Sequence, residues 1–117
     1  SAITLSVDGE NRIIPVQNIQ FIESMNNDVI YHVLSNGKLR EIQVRGTLSG
    51  VFDKLTEVSN DFYKIHRCTV VNLKNVKQYS TTDVTMECEA KLTIAKSIRN
   101  QFRLAMFDFV KRSGHSI

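Results

Sequence analysis

Two short stretches of this 117-residue chain collect basic and hydroxyl side chains that can bind an anion. They are Lys64, His66 and Arg67 in the middle of the chain, and Lys96, Ser97 and Arg99 toward its end. Lysine and arginine neutralise phosphates, and arginine can also donate two hydrogen bonds to guanine O6 and N7 in the major groove. These residue types match the chemistry of duplex DNA, provided that the fold exposes them.

The middle stretch lies within residues 61–79, where apolar and polar side chains alternate. As β-structure this segment can bury Phe62, Ile65, Val70 and Val71 and leave the three cations near solvent. The sequence therefore predicts a cationic loop carried on a rigid sheet.

The positive charge is concentrated in the second half of the chain. Overall there are 15 Lys and Arg against 12 Asp and Glu. Residues 1–59 hold five basic and seven acidic side chains, whereas residues 60–117 hold ten basic and five acidic ones. This distribution suits an anionic partner, although charge alone does not select a nucleic acid.

A catalytic role is poorly supported by the same residues. Ser97 or Cys68 could act as a nucleophile with His66 as its base, but no third group is available to orient the base. The sequence also lacks a Gly-rich phosphate loop, an H-E-x-x-H motif and a nucleophile elbow. His32 has no second His or Cys at ligand spacing and is predicted to be structural. We predict no enzymatic activity and no metal or organic cofactor.

The cysteines and the absence of targeting signals bear on the compartment. Cys68 and Cys88 lie in separate strand-like runs without a C-x-x-C spacing, so we predict two buried free thiols, as in a reducing cytoplasm. No signal peptide, long apolar span or lipidation motif is visible. We therefore expect a cytoplasmic domain that does not act at a membrane.

Turn signals and alternating apolar residues predict a mainly β fold. Asp8-Gly9 separates the strands predicted at residues 3–7 and 12–16, and Asn36-Gly37 separates those at 29–34 and 38–44. Further strands are predicted at 19–24, 84–88 and 92–95, with turns at 25–28, 81–83 and 89–90. Pro15 lacks a backbone donor and should lie at a strand edge or end. In all, we expect about ten short antiparallel strands.

Helical spacing interrupts this pattern twice. In the first helix the apolar positions are Leu48, Val51, Phe52, Leu55 and Val58, after a possible cap at Thr47 and before a stop at Ser59-Asn60. In the second, at the C-terminus, they are Ile98, Phe102, Ala105, Met106, Phe109 and Val110, opposite Arg99, Arg103, Lys111 and Arg112. We predict that the C-terminal helix packs on the sheets, and a dimer contact through it is the alternative.

Four segments together resemble the LytTR DNA-binding domain of bacterial transcription regulators. They are FIES at residues 21–24, RGTL at 45–48, FYKIHRCTVVNLKNVKQY at 62–79 and LTIAKSIRNQF at 92–102. In that family the third segment reads approximately F-x-R-x-H-x-S-x-x-V-N, and the last carries an I-S-R pattern before a helix. The resemblance extends over residues 3–110. It implies an elongated β-β-β arrangement of sheets with one internal and one C-terminal helix.

The resemblance also implies which loops face DNA. The turn at 25–28 makes Asn26 and Asn27 candidates for base or phosphate contacts, with a plain turn as the alternative. Arg67 is the leading candidate for base reading, and a surface salt bridge is the alternative. His66 matches the family's histidine and could donate to a phosphate or hold the loop through a backbone bond. Asn72 also matches, but because it follows two buried valines we predict a turn-capping role.

Two departures from the family pattern affect the expected specificity. Ala95, Lys96 and Ser97 stand where relatives carry S-R or S-R-R. Lysine keeps the charge but lacks the planar fork of arginine, so we expect Lys96 to contact phosphate. Orphan amides at the following helix also attract phosphate, and Ser97 could cap that turn or share a donor with the backbone. Cys68 and Thr69 replace the family's serine and phenylalanine.

The predicted function is sequence-specific binding of double-stranded promoter DNA by loops rather than by a recognition helix. Lys64, His66, Arg67, Lys96, Ser97, Arg99, Asn26 and Asn27 are the predicted DNA-binding residues. The resemblance implies a response-regulator output domain that binds direct-repeat half-sites, with homodimerisation of the full-length protein. Because the chain starts at Ser1 without an initiator methionine, residues 1–117 are expected to be the C-terminal part of a longer regulator. A protein-interaction module using the C-terminal helix is the alternative function.

Overall fold

The computed structural model describes residues 1–114, so the last three residues of the predicted domain lie outside the described part. In chain order its elements are β1 (Ala2–Val7), β2 (Glu10–Pro15), β3 (Ile19–Met25), β4 (Asp28–Ser35), β5 (Lys38–Arg45), α1 (Leu48–Thr56), β6 (Phe62–His66), β7 (Thr69–Asn72), β8 (Val76–Tyr79), β9 (Asp83–Met86), β10 (Lys91–Thr93) and α2 (Arg99–Ser113). Short 3-10 turns precede β3, β8 and α2.

The ten strands form three antiparallel sheets. One is the β1–β2 hairpin, the second has the order β5-β4-β3-β7-β6, and the third has the order β10-β9-β8. The molecule measures 47 × 28 × 26 Å along its principal axes. The predicted mainly β fold, with its elongated arrangement of sheets and two helices, is confirmed.

Both predicted Gly-containing hairpins form, because their turn residues accept positive φ angles. Asp8 and Gly9 have φ of 52° and 78°, and Asn36 and Gly37 have φ of 52° and 75°. Two successive residues at positive φ match the twist of the flanking strands, which is why this dipeptide pattern predicts tight hairpins. Pro15 is the last residue of β2, as expected for a residue without a backbone donor.

The five-stranded sheet is covered on both faces. Neighbouring residues of β3 and of β7 point to opposite sides, so that Ile22 and Val70 join one core while Phe21 and Val71 join another. The first core also contains the β1–β2 hairpin and α1, and the second contains β8–β10 and α2. A sheet packed on both faces is a stiff support for the loops at its ends.

Helix α1 begins as predicted but ends earlier. The Thr47 hydroxyl accepts a hydrogen bond from the Gly50 amide at 3.1 Å, which satisfies one orphan donor of the first turn. The helix stops at Thr56, where the Glu57 amide already bonds to Lys54 in a tighter turn. Val58 therefore lies past the helix and is 44% exposed, contrary to its predicted core position.

Helix α2 is anchored on the second core by one face. Phe102 and Met106 are almost fully buried, and the Phe102 ring meets Tyr63 and Tyr79 edge-on at centroid distances of 5.7 and 6.0 Å. Burial raises the pKa of the Tyr63 phenol. The predicted packing of α2 on the sheets is confirmed.

Asn72 has the structural role that was predicted for it. It is 1% exposed, and its Oδ1 accepts a hydrogen bond from the Lys74 amide at 3.1 Å. Its Nδ2 donates to the Ile19 carbonyl at 3.0 Å. The side chain thus caps the turn after β7 and ties it to the start of β3.

The cysteine prediction is correct in one respect and wrong in two. Cys68 and Cys88 are free cysteines. Both lie in turns rather than strands and are half-buried rather than buried, because the strands end at His66 and Met86, before either residue. His32 is buried and stacks on Phe21 at a centroid distance of 3.9 Å, which agrees with its predicted structural role.

Candidate nucleic-acid interface

Backbone hydrogen bonds hold four loops side by side at one edge of the fold. The Gly46 amide donates to Asn27, which joins the start of α1 to the β3–β4 turn at 3.0 Å. The Ser24 amide donates to Cys68, which joins that turn to the β6–β7 turn at 3.0 Å. The Ala95 amide donates to the Ile65 carbonyl at 2.8 Å, which joins the link between β10 and α2 to the end of β6. The four segments are residues 26–27, 46–47, 67–68 and 94–98, and we call them the loop row.

The β3–β4 turn presents two asparagines at this edge. Asn26 adopts a left-handed conformation with φ of 56°, which asparagine tolerates better than most residues. Asn26 and Asn27 are both exposed, and they line a cleft of about 500 Å³ together with Lys64 and Arg67. Two candidate stretches that are far apart in the sequence therefore meet at one cleft.

The β6–β7 turn connects this cleft to a second one. Lys64 and Arg67 also line a cleft of about 370 Å³ whose other wall comes from Ala95, Ser97 and Ile98. Both cationic side chains are exposed. Six of the eight predicted DNA-binding residues, Asn26, Asn27, Lys64, His66, Arg67 and Ser97, therefore line two adjoining clefts of the loop row.

No acidic side chain neutralises the cations of this turn. Within residues 1–114, neither Lys64 nor Arg67 has a carboxylate oxygen within 4.0 Å. The salt bridge considered as the alternative role of Arg67 is thus not found among the described residues. Its guanidinium is available to an external acceptor.

The His66 side chain is hydrogen-bonded to the turn that follows it. The Cys68 amide donates to His66 Nδ1 at 3.2 Å. An Nδ1 atom that accepts a hydrogen bond carries no proton, so the neutral ring carries its proton on Nε2. The observed bond supports the loop-holding role and leaves Nε2–H as a donor, so that both roles considered for His66 are compatible.

The second cationic stretch lies where β10 leads into α2. Lys96 and Ser97 are exposed, and Arg99 is half-buried. Of the two roles considered for Ser97, helix capping is not observed, because a 3-10 turn at Lys96–Ile98 places Ile98 at the cap position of α2. Within the described residues 1–114, the cap position of this helix has no side-chain hydrogen bond.

Among the other residues that line the first cleft are three that were not identified as site residues from the sequence. Arg45, Thr47 and Ser49 come from the end of β5 and the start of α1. The positive end of the α1 dipole therefore adds to the cationic character of the cleft. From the sequence, Arg45 was only the first residue of the RGTL segment, and its pairing with Asp28 across β4 and β5 places it beside the asparagine turn.

Other kinds of site are not found in the described part of the chain. Residues 1–114 contain no group of three or more His, Cys, Asp or Glu side chains placed to hold a metal ion. None of the helices described in this range has the length and apolar character needed to cross a bilayer.

Comparison with known proteins identifies the family. The model of the LytTR DNA-binding domain matches residues 9–106. The chain belongs to the LytTR DNA-binding domain family. The match includes all eight predicted site residues, and it confirms the resemblance stated above on sequence grounds.

A solved LytTR domain has the same fold. It is the LytTR DNA-binding domain of a protein assigned as a methyl-accepting/DNA response regulator from Bacillus cereus. The TM-score is 0.70 with 18% sequence identity, and the match covers 89% of this chain and 94% of the other. No curated protein sequence matches the chain. The LytTR architecture is thus retained although fewer than one residue in five is shared.

Proposed function

We propose that this LytTR domain binds duplex DNA in a sequence-specific manner through the loop row. The observation that carries the proposal is the convergence of Asn26, Asn27, Lys64 and Arg67 on one cleft, with both cations exposed and unpaired within residues 1–114. The amide of asparagine and the guanidinium of arginine hydrogen-bond to base edges, while lysine neutralises phosphates. The cleft supplies both kinds of contact.

Four of the candidate residues have a specific proposed role. Arg67 reads a base edge, because its donor fork is exposed and can form a bidentate pair with guanine. Lys64 and Lys96 contact phosphates as point charges. His66 Nε2–H donates to a phosphate while Nδ1 holds the turn. In this arrangement loops rather than a recognition helix enter the grooves, because Asn26, Asn27 and Arg67 all lie in turns between strands.

The biological setting of the proposal follows the family. The domain is the output part of a cytoplasmic bacterial transcription regulator and binds promoter DNA as direct-repeat half-sites. Homodimerisation belongs to the longer protein, in which residues 1–117 are the C-terminal domain. The proposal assigns no catalytic reaction, cofactor or membrane contact to the domain.

Selection of bound duplexes from a random pool tests the proposal. The domain is expected to enrich a defined motif at low salt, and Lys96→Ala is expected to weaken binding about equally for all sequences. The logarithm of the affinity should fall steeply and linearly with the logarithm of the salt concentration. Retention of all duplexes without enrichment would contradict sequence-specific binding, and no retention even at low salt would contradict DNA binding by this domain.

A protein-interaction function is the second candidate, and one observation favours it. The outer face of α2 exposes Leu104 at 52% and Phe107 at 59%, and residues three apart on a helix are neighbours on its surface. Reversal of charge with Arg67→Glu and Lys96→Glu separates the two functions. It should abolish DNA retention and leave any partner contact through α2 unchanged.

A further inference from the structure

The loop row continues into a fifth loop that none of the candidate residues belongs to. The Ile94 amide donates to the Thr82 carbonyl at 3.0 Å, one residue before Ala95 bonds to Ile65. The link from β10 to α2 is therefore fastened on one side to the β6–β7 turn and on the other side to the β8–β9 turn. The β8–β9 turn stands next in the same series of loops.

A third cleft opens between this turn and the start of α2. Its volume is about 440 Å³, and it is lined by Tyr79, Ser80, Thr81, Arg99, Asn100 and Arg103. Two of these six side chains are guanidinium groups, and four others offer hydroxyl or amide groups. All six side chains at the cleft carry a hydrogen-bonding group, and two of them are positively charged.

The turn that forms one wall is already ordered by its own hydrogen bonds. Ser80 Oγ accepts from the amides of Thr82 and Asp83, each at 3.2 Å, and the Ser80 amide donates to the Asp83 carbonyl at 2.9 Å. The Asp83 carboxylate accepts from the hydroxyls of Ser80 and Thr82 at 3.3 and 3.0 Å. The one acidic side chain of the turn is thus engaged by hydroxyl groups rather than by an arginine.

The arginines on the other wall keep most of their donors free. Arg103 Nη2 donates to Asn100 Oδ1 at 2.9 Å, which holds the guanidinium in one orientation. Within residues 1–114 no carboxylate lies within 4.0 Å of Arg99 or Arg103. The buried Nε of Arg99 has no hydrogen-bond partner among these residues. Two guanidinium groups one helical turn apart are therefore free to bind an anion.

We propose that this third cleft binds a backbone phosphate of the same DNA duplex, beyond the segment contacted by the loop row. The inference rests on the proposed function and adds one site to it, which is formed by Arg103, Asn100 and the β8–β9 turn. The guanidinium groups supply charge-assisted donors to phosphate oxygens. The hydrogen bonds from Ile94 to Thr82 and from Ala95 to Ile65 place this cleft beside the loop row, so a duplex bound there can extend over it.

Arg103→Gln tests this site with two duplexes that share the selected motif. The long duplex extends past the motif by about one helical turn on both sides, and the short duplex ends at the motif. On the long duplex the variant should bind roughly five- to tenfold more weakly at 0.1 M salt, with a salt slope reduced by about one. The loss should be the same for any flanking sequence. On the short duplex the variant should bind like the wild type.

Lys111→Gln is the matched control, since it removes one exposed positive charge from the same helix outside the cleft. It should leave the salt slope on both duplexes unchanged. Equal losses for the two variants would overturn the inference, because they would reflect overall charge. Unchanged binding of Arg103→Gln to the long duplex would also overturn it and leave the proposed function standing. Failure of the wild type to bind either duplex would overturn both.

Discussion

Replacing Arg67 with alanine is expected to remove the preference for one base pair of the recognised motif. A bidentate contact between arginine and guanine contributes about 1–3 kcal/mol of discrimination against the wrong base, or roughly 5- to 150-fold in affinity. The variant should lose about this much on the preferred duplex and much less on duplexes already altered at that position. Dissociation constants for the preferred duplex and its single-base variants measure the effect.

Arg40→Ala provides the control for charge. Arg40 is exposed on β5, well away from the Arg45 end of that strand. The substitution therefore removes the same charge outside the loop row. It should weaken binding slightly for all duplexes alike. If Arg67→Ala behaved in the same way, with a uniform loss across every base variant, Arg67 would be a phosphate contact and the proposed base-reading role would be wrong.

Replacing Phe102 with alanine is expected to lower the free energy of unfolding by about 3–5 kcal/mol. Phe102 is 1% exposed and lies against the edges of Tyr63 and Tyr79, so truncation leaves a cavity between α2 and the sheets. The loss is a large fraction of the stability of a domain of this size. Denaturant unfolding followed by circular dichroism measures it.

Phe107→Ala removes the same ring from the same helix at an exposed position. It is expected to change the free energy of unfolding by less than about 0.5 kcal/mol. Comparable losses for the two variants would mean that the outer face of α2 is packed in solution. That result would favour the second candidate function, in which α2 contacts a partner.

Local patterns predicted most of the elements because their causes are local. The Asp8-Gly9 and Asn36-Gly37 turns require positive φ angles that those residues accept, and both hairpins follow from that. The Thr47 cap depends only on an amide three residues away. The prediction that Val58 belongs to α1 was wrong, because the spacing of apolar residues does not show where the last helical turn tightens.

The candidate site was predictable only in part, because it is assembled from distant segments. Alternation placed Lys64 and Arg67 near solvent, and the LytTR resemblance indicated which turns face DNA. Arg45 was missed because its position depends on the register between β4 and β5. Arg103 was assigned only to the outer face of α2, and its cleft depends on the hydrogen bond that fastens Thr82 beside Ile94. Such long-range pairings leave no periodic signal in the sequence.

The central claim is that DNA is bound by the loop row. Mapping of backbone amide chemical shifts on addition of the selected duplex tests it most directly. The account predicts the largest changes at Asn27, Gly46, Cys68 and Ser97 and small changes at Gly37, at the far tip of the β4–β5 hairpin. Changes concentrated on the outer face of α2, with none in the four loops, would contradict it.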